Sequence, residues 1–146
     1  VIYHHWREMT RMSRLLICGL MAGVLVFTSV SAADAAGLIK GSSGPLVATL
    51  TPSTHTPKIN APMTLTVTAT LKAKPAHATA VYEFVFGGTV VSTQYPYYNK
   101  HYSFTGHFRD TLRFPASSLG VTLTLRVVIK AAGHTVNLNC SITSHK

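Results

Sequence analysis

From Met63 to Lys72 the chain alternates without a break. Met63, Leu65, Val67, Ala69 and Leu71 take one parity, and Thr64, Thr66, Thr68, Thr70 and Lys72 take the other. Successive side chains of a pleated strand point to opposite faces, so a period of two builds a sheet with one dry face and one wet face. The pattern recurs in Val121, Leu123, Leu125, Val127 and Ile129, and again in Val136, Leu138, Cys140 and Ile142. No segment sustains a period of 3.6 residues, and none opens with a helix capping box. Strands are expected over Leu46–Thr51, Met63–Lys72, Thr79–Phe86, Thr89–Thr93, His107–Phe114, Val121–Ile129 and His134–Thr143. Between them lie turn signals: three prolines within 51–62, Lys74-Pro75-Ala76-His77, Gly87-Gly88, Pro115–Gly120 and Ala131-Ala132-Gly133. A sheet with one apolar face must bury it against another layer. The expected fold is therefore all-β: a two-sheet antiparallel sandwich of about seven strands.

What precedes the strands has a different character. Arg7, Arg11 and Arg14 lead into an apolar run from Leu15 to Val30, which ends in Ser31-Ala32-Ala33-Asp34-Ala35-Ala36. Positive charge, an apolar stretch and small residues at a cutting site form a secretory signal peptide. Residues 1–35 are thus expected to be a signal helix with an upstream extension, cut before Ala36 or after Ala32. Retention as a membrane anchor is the competing reading, although the run of 16 residues falls short of the ~20 that span a bilayer. A lipoprotein reading through Cys18 fails, because Ile17 fills a position that needs a small residue. Residues 36–45, with Lys40-Gly41-Ser42-Ser43-Gly44-Pro45, have linker composition and read as a flexible leader. The sandwich then takes 46–146.

Charge narrows the chemistry. The whole chain carries 13 Lys and Arg against 4 acids. Loss of residues 1–35 would leave 10 basic residues and 2 acids, Glu83 and Asp110, a net +8. Acid–base catalysis and hard-metal binding both draw on carboxylates, so no catalytic residue, cofactor or metal is assigned. A triad of His107, Asp110 and a serine can be drawn, but no nucleophile elbow accompanies it. The histidines His55, His77, His101, His107, His134 and His145 stand at least six positions apart, without the local spacing of a zinc site. Cys140 is the single cysteine of the expected mature chain. It shares the inward phase of its neighbours, so it should be a buried, slow thiol. Asn139-Cys140-Ser141 matches the glycosylation triplet, but falls in mid-strand.

The last third, from Gly120-Val121-Thr122-Leu123-Thr124-Leu125 through Ala131-Ala132-Gly133-His134-Thr135 to Ile142, resembles the final hairpin of bacterial immunoglobulin-like and PKD-like surface domains. Tyr82-Glu83-Phe84-Val85-Phe86-Gly87-Gly88 is similar to their third strand and its turn. The resemblance covers most of residues 46–143. It lies in the strand pattern, because the Cys pair and core Trp of antibody domains are absent. It implies an immunoglobulin-like sandwich serving as an extracellular structural or binding module without catalysis.

Two further features bear on binding. Between Gln94 and Gly106 lies a polar-aromatic stretch in which Tyr97, Tyr98, Lys100 and His101 form an expected exposed tip, the candidate ligand site. Tyr102, Phe104 and Phe108 are its expected packing residues. Lys72, Lys74, Arg109, Arg113, Arg126 and Lys130 form a dispersed basic surface suited to acidic partners. Adaptation to an acidic medium is the competing explanation of that charge. The leading reading is a secreted or periplasmic, non-enzymatic surface, adhesion or structural module. Its partner would be an acidic cell-surface polymer or another surface protein. Nucleic acid is not expected, and a membrane only through an uncleaved signal segment. The alternative is a recognition domain for acidic cell-wall glycan, using the Tyr97–His101 loop. A small hydrolase is the remaining contrast.

Overall fold

The computed structural model describes residues 37–146, and the alternating rows fall on its strands. The expected signal segment and its helix lie outside the described residues. Ten strands follow in order: β1 Ile39–Ser43, β2 Leu46–Pro52, β3 Pro62–Leu71, β4 Lys74–Pro75, β5 His77–Phe86, β6 Thr89–Gln94, β7 Ser103–Thr105, β8 His107–Arg113, β9 Thr122–Ala131 and β10 His134–Thr143. Single 3-10 turns occupy Pro96–Tyr98 and Ala116–Ser118. No helix among the described residues is long and apolar enough to cross a membrane.

The strands form two antiparallel sheets. In the first, β1, β2 and β3 pair in order, and β4 and β8 share the far side of β3. In the second, β10, β9 and β5 pair in order, and β6 and β7 share the far side of β5. The seven expected strands correspond to β2, β3, β5, β6, β8, β9 and β10. The three additional ones, β1, β4 and β7, span five, two and three residues.

The inward rows meet between the sheets. Met63, Leu65, Val67 and Ala69 of β3 are fully buried, and so are Leu46, Ala48 and Leu50 of β2. Opposite them are Leu123, Leu125, Val127 and Ile129 of β9, with Val136, Leu138, Cys140 and Ile142 of β10. Each Leu or Ile hidden in this way contributes roughly 1.5–3 kcal/mol relative to exposure. One buried polar pair sits at a margin, where Ser118 and Ser144 share a hydroxyl contact of 2.8 Å and the Ser144 hydroxyl donates to the Ser118 carbonyl at 2.6 Å.

Of the expected leader, the described residues 37–45 hold a strand. Ile39–Ser43 pairs with Leu46–Leu50 as a hairpin strand, and a side chain at Gly41 would come within 2.7 Å of Val136 and 3.2 Å of Leu138. The glycine that reads as linker composition is what lets β1 lie against β10 and close that side of the sandwich. The β3–β4 turn also differs from expectation. It falls on Lys72 and Ala73, with φ of 50° and 62°, one step before the Lys74–His77 turn signal. Lys74 and Pro75 instead pair with Leu71 and Thr70.

Candidate functional site

The chain between β6 and β7 leaves the edge of the second sheet beyond β5 and reaches β8 of the first before returning. Tyr97 and Tyr98 both take left-handed backbone, with φ of 52° and 58°, a conformation that costs a non-glycine residue on the order of 1–3 kcal/mol. Local bonds hold it. The Tyr98 and Asn99 amides donate to Tyr95 and Pro96 carbonyls, each at 3.0 Å, and the His101 amide donates to Asn99 Oδ1 at 3.2 Å.

The anchor is Asp110. Its position on β8 faces inward, and its carboxylate is buried. Oδ2 accepts the Tyr82 hydroxyl at 3.0 Å and the Tyr97 amide at 3.2 Å, while Oδ1 accepts the Thr111 amide at 2.7 Å. One side chain thus ties β5 of the second sheet and the excursion to β8 of the first. Burial, together with the facing Asp110 charge and hydrogen bond, pushes the Tyr82 phenol far above its ordinary range. The Tyr97 hydroxyl donates to the Arg109 carbonyl. Aromatic packing completes the support: Tyr102 lies 5.3 Å from Tyr97, 5.0 Å edge-on from Phe108 and 6.3 Å from Phe104 between ring centroids.

Beside the excursion is an open groove of about 270 Å³. Its floor comes from cross-strand neighbours of β5 and β9, Thr79 opposite Lys130 and Val81 opposite Val128. Tyr95, Lys100, His101 and Tyr102 supply the wall. The groove therefore has apolar and aromatic surfaces with two lysines and a histidine around them. That arrangement suits a small anionic ligand with an apolar side.

Of the expected tip, Lys100 and His101 line this groove and Tyr97 and Tyr98 do not. The Tyr97 ring is committed to Tyr102, and Tyr98 stands clear at 79% exposure. Of the expected basic surface, Lys130 joins the groove. Arg126 pairs with Glu83 at 3.2 Å and bonds Asn139. Arg113 donates to the Asn60 carbonyl at 2.8 Å, and Arg109 is exposed on β8. Lys72 lies in the β3–β4 turn and Lys74 begins β4. These cations are spread over both sheets.

Thr79, Val81 and Val128 carry no chemical signal that marks them as groove residues. Their association follows from β5–β9 register, which the alternation alone does not specify. Another contact is equally non-local: His55 Nδ1 lies 3.3 Å from Cys140 Sγ and 3.1 Å from the Ser141 carbonyl. The inward phase of Cys140 is as expected. Burial pushes its thiol up to about 11, so the neutral form dominates at physiological pH despite the adjacent imidazole. The drawn triad does not form, since three residues along a strand reverse the face: His107 is exposed outward and Asp110 is buried inward. Among the described residues no group of three or more His, Cys, Asp or Glu could hold a metal ion.

Comparison with protein-family models, curated proteins and solved structures finds no match.

Proposed function

We propose that the chain is an exported, non-enzymatic immunoglobulin-like module that adheres to acidic cell-surface polymer through its positive surface. One observation carries this reading: neither carboxylate among the described residues is free to oppose the exposed cations. Asp110 is turned inward and held by Tyr82 and the Tyr97 amide, and Glu83 is paired with Arg126. Lys40, Lys72, Lys74, Lys100, Arg109 and Lys130 are exposed around them. A field of one sign draws in polyanions at long range. The order β2-β3-β8 against β10-β9-β5-β6 supports the immunoglobulin-like reading, because the chain passes from the first sheet to the second after the β3–β4 hairpin and again after β8, as the B–C and E–F connections of that fold do.

Exposed charges are screened beyond about 8 Å at physiological ionic strength. Retention on an acidic-polysaccharide resin should therefore be strong at low salt and fall steadily as salt rises. A Lys72→Ala/Lys74→Ala variant should elute earlier by a graded amount. Absence of retention at low salt, or retention indifferent to salt, would overturn the reading.

A further inference from the structure

We infer that the groove beside the Tyr95–Tyr102 excursion is a subsite for one hexuronate unit, a sugar ring bearing a single carboxylate. This rests on the polyanion reading above and names its specific element. Three features on one small surface point to that class. Lys100 and Lys130 approach from different elements, the excursion and β9, with His101 beside them, so an anion seated there meets positive charge on more than one side. Val81 and Val128 sit side by side on adjacent strands, and Tyr95 and Tyr102 stand next to them. Such a surface fits the C–H face of a pyranose, which a bare inorganic anion lacks. Tyrosine adds a rigid ring with a polar end, able to stack on the sugar and bond its hydroxyls, and Thr79 adds a hydroxyl at the lysine end of the floor.

Size and rigidity agree with a single unit. Small-molecule clefts run from roughly 300 to 1,000 Å³, and a groove of about 270 Å³, just below that range, has room for no more than one ring. The wall is set before any ligand arrives. Asp110 fixes the Tyr97 amide, the Asn99 side chain fixes the His101 amide, and Tyr102 is packed on Phe104 and Phe108. A fixed wall spares the ligand the ordering cost that weakens binding by mobile loops.

The test is a titration of the isotope-labelled protein, followed by amide chemical shifts, with glucuronate, glucose and acetate as probes. Glucuronate should give saturable shifts centred on Val81, Lys100, Val128 and Lys130. Glucose lacks the charge and acetate lacks the ring, so each should bind about tenfold more weakly or worse. Lys100→Ala and Lys130→Ala, both at exposed positions, should each weaken glucuronate about tenfold. Lys72→Ala/Lys74→Ala should leave the titration unchanged while lowering resin retention. Equal responses to glucuronate and acetate would overturn the subsite, as would shifts scattered over all the lysines and arginines. If resin retention persists in that case, only the subsite fails. If the titration succeeds with no retention on polymer, the adhesion reading fails alone.

Discussion

The outer faces of the two sheets obey the same alternation and end as different surfaces. On the first sheet, Thr49 and Thr51 of β2 lie opposite Thr68 and Thr66 of β3, and Thr64 lies opposite Thr111 of β8. The hydroxyls of Thr49 and Thr68 bond each other at 2.5 Å. On the second sheet, Thr79 faces Lys130, Val81 faces Val128 and Glu83 faces Arg126, and Tyr95, Lys100, His101 and Tyr102 wall the first two pairs. One face sets rows of threonine hydroxyls beside exposed basic residues such as Lys40 and Arg109, and the other carries a walled groove. A pleated strand decides which residues point outward. A loop held from beneath decides which of them share a site, and here the hold is Asp110.

Removing that hold should separate the two faces most sharply. Asp110→Ala leaves the buried Tyr82 hydroxyl without its acceptor and frees the Tyr97 amide. An unsatisfied buried polar group costs about 1–3 kcal/mol. We expect a loss near the top of that range in urea unfolding, together with loss of glucuronate shifts in the groove. Amide shifts of Thr49, Thr66 and Thr68 should stay close to wild type. A loss under about 0.5 kcal/mol would show that Asp110 is not the anchor.

High pH should also act on one side of the comparison. The groups whose ionisation is opposed, Tyr82 on β5, Cys140 on β10 and Tyr102 beside β7, belong to the second sheet or its excursion. Each folded-state pKa is raised, so above the unfolded values the unfolded chain releases protons that the native state retains. The associated stability is complete below about pH 9 and declines as pH rises. For Cys140 the decline runs from 9.0 to about 11. Cys140→Ala should flatten the stability–pH curve across that window, as measured by chemical unfolding at several pH values. The native thiol should react slowly with thiol reagents at neutral pH. Rapid labelling would contradict its burial.

A change on the first-sheet side should leave the groove untouched. Ala73 occupies a left-handed turn position at φ 62°, which glycine adopts without the Cβ penalty. Ala73→Gly should raise stability by about 0.5–1 kcal/mol, net of the extra freedom of the unfolded chain. Thermal unfolding would check it, and a fall in melting temperature would contradict it.

The smallest expected effect on stability concerns the Glu83–Arg126 pair, whose side chains are 27% and 32% exposed. Such pairs contribute about 0–1 kcal/mol, so Glu83→Gln should barely alter unfolding. It should nonetheless lengthen retention on acidic resin, because it removes a carboxylate and releases Arg126. Unchanged retention would count against a charge-driven surface.

The core was legible because burial follows parity. Met63 through Ala69, Leu123 through Ile129 and Val136 through Ile142 are inward wherever the alternation put them. The short strands were not legible. A strand of two to five residues such as β1, β4 or β7 holds by register against a longer neighbour, and carries too few residues to show a period. Composition pointed the wrong way at Gly41-Ser42-Ser43, where glycine serves close packing against Val136. The site was half legible. Lys100 and His101 stood out as basic residues among aromatics, and Lys130 as one of several dispersed cations. Their association depends on β5–β9 register and on Asp110, thirteen residues beyond the amide it holds. The Cys140–His55 contact spans 85 positions, which no local pattern encodes.

The most direct measurement is a footprint of an acidic oligosaccharide, an oligomer of uronate, on both faces at once, read by amide shifts at moderate salt. The account predicts perturbations concentrated at Val81, Lys100, His101, Val128 and Lys130, with Thr49, Thr66 and Thr68 still. Perturbations centred on the threonine face would contradict it, and perturbations spread evenly over every exposed cation would remove the groove as a site and leave only charge-driven adhesion.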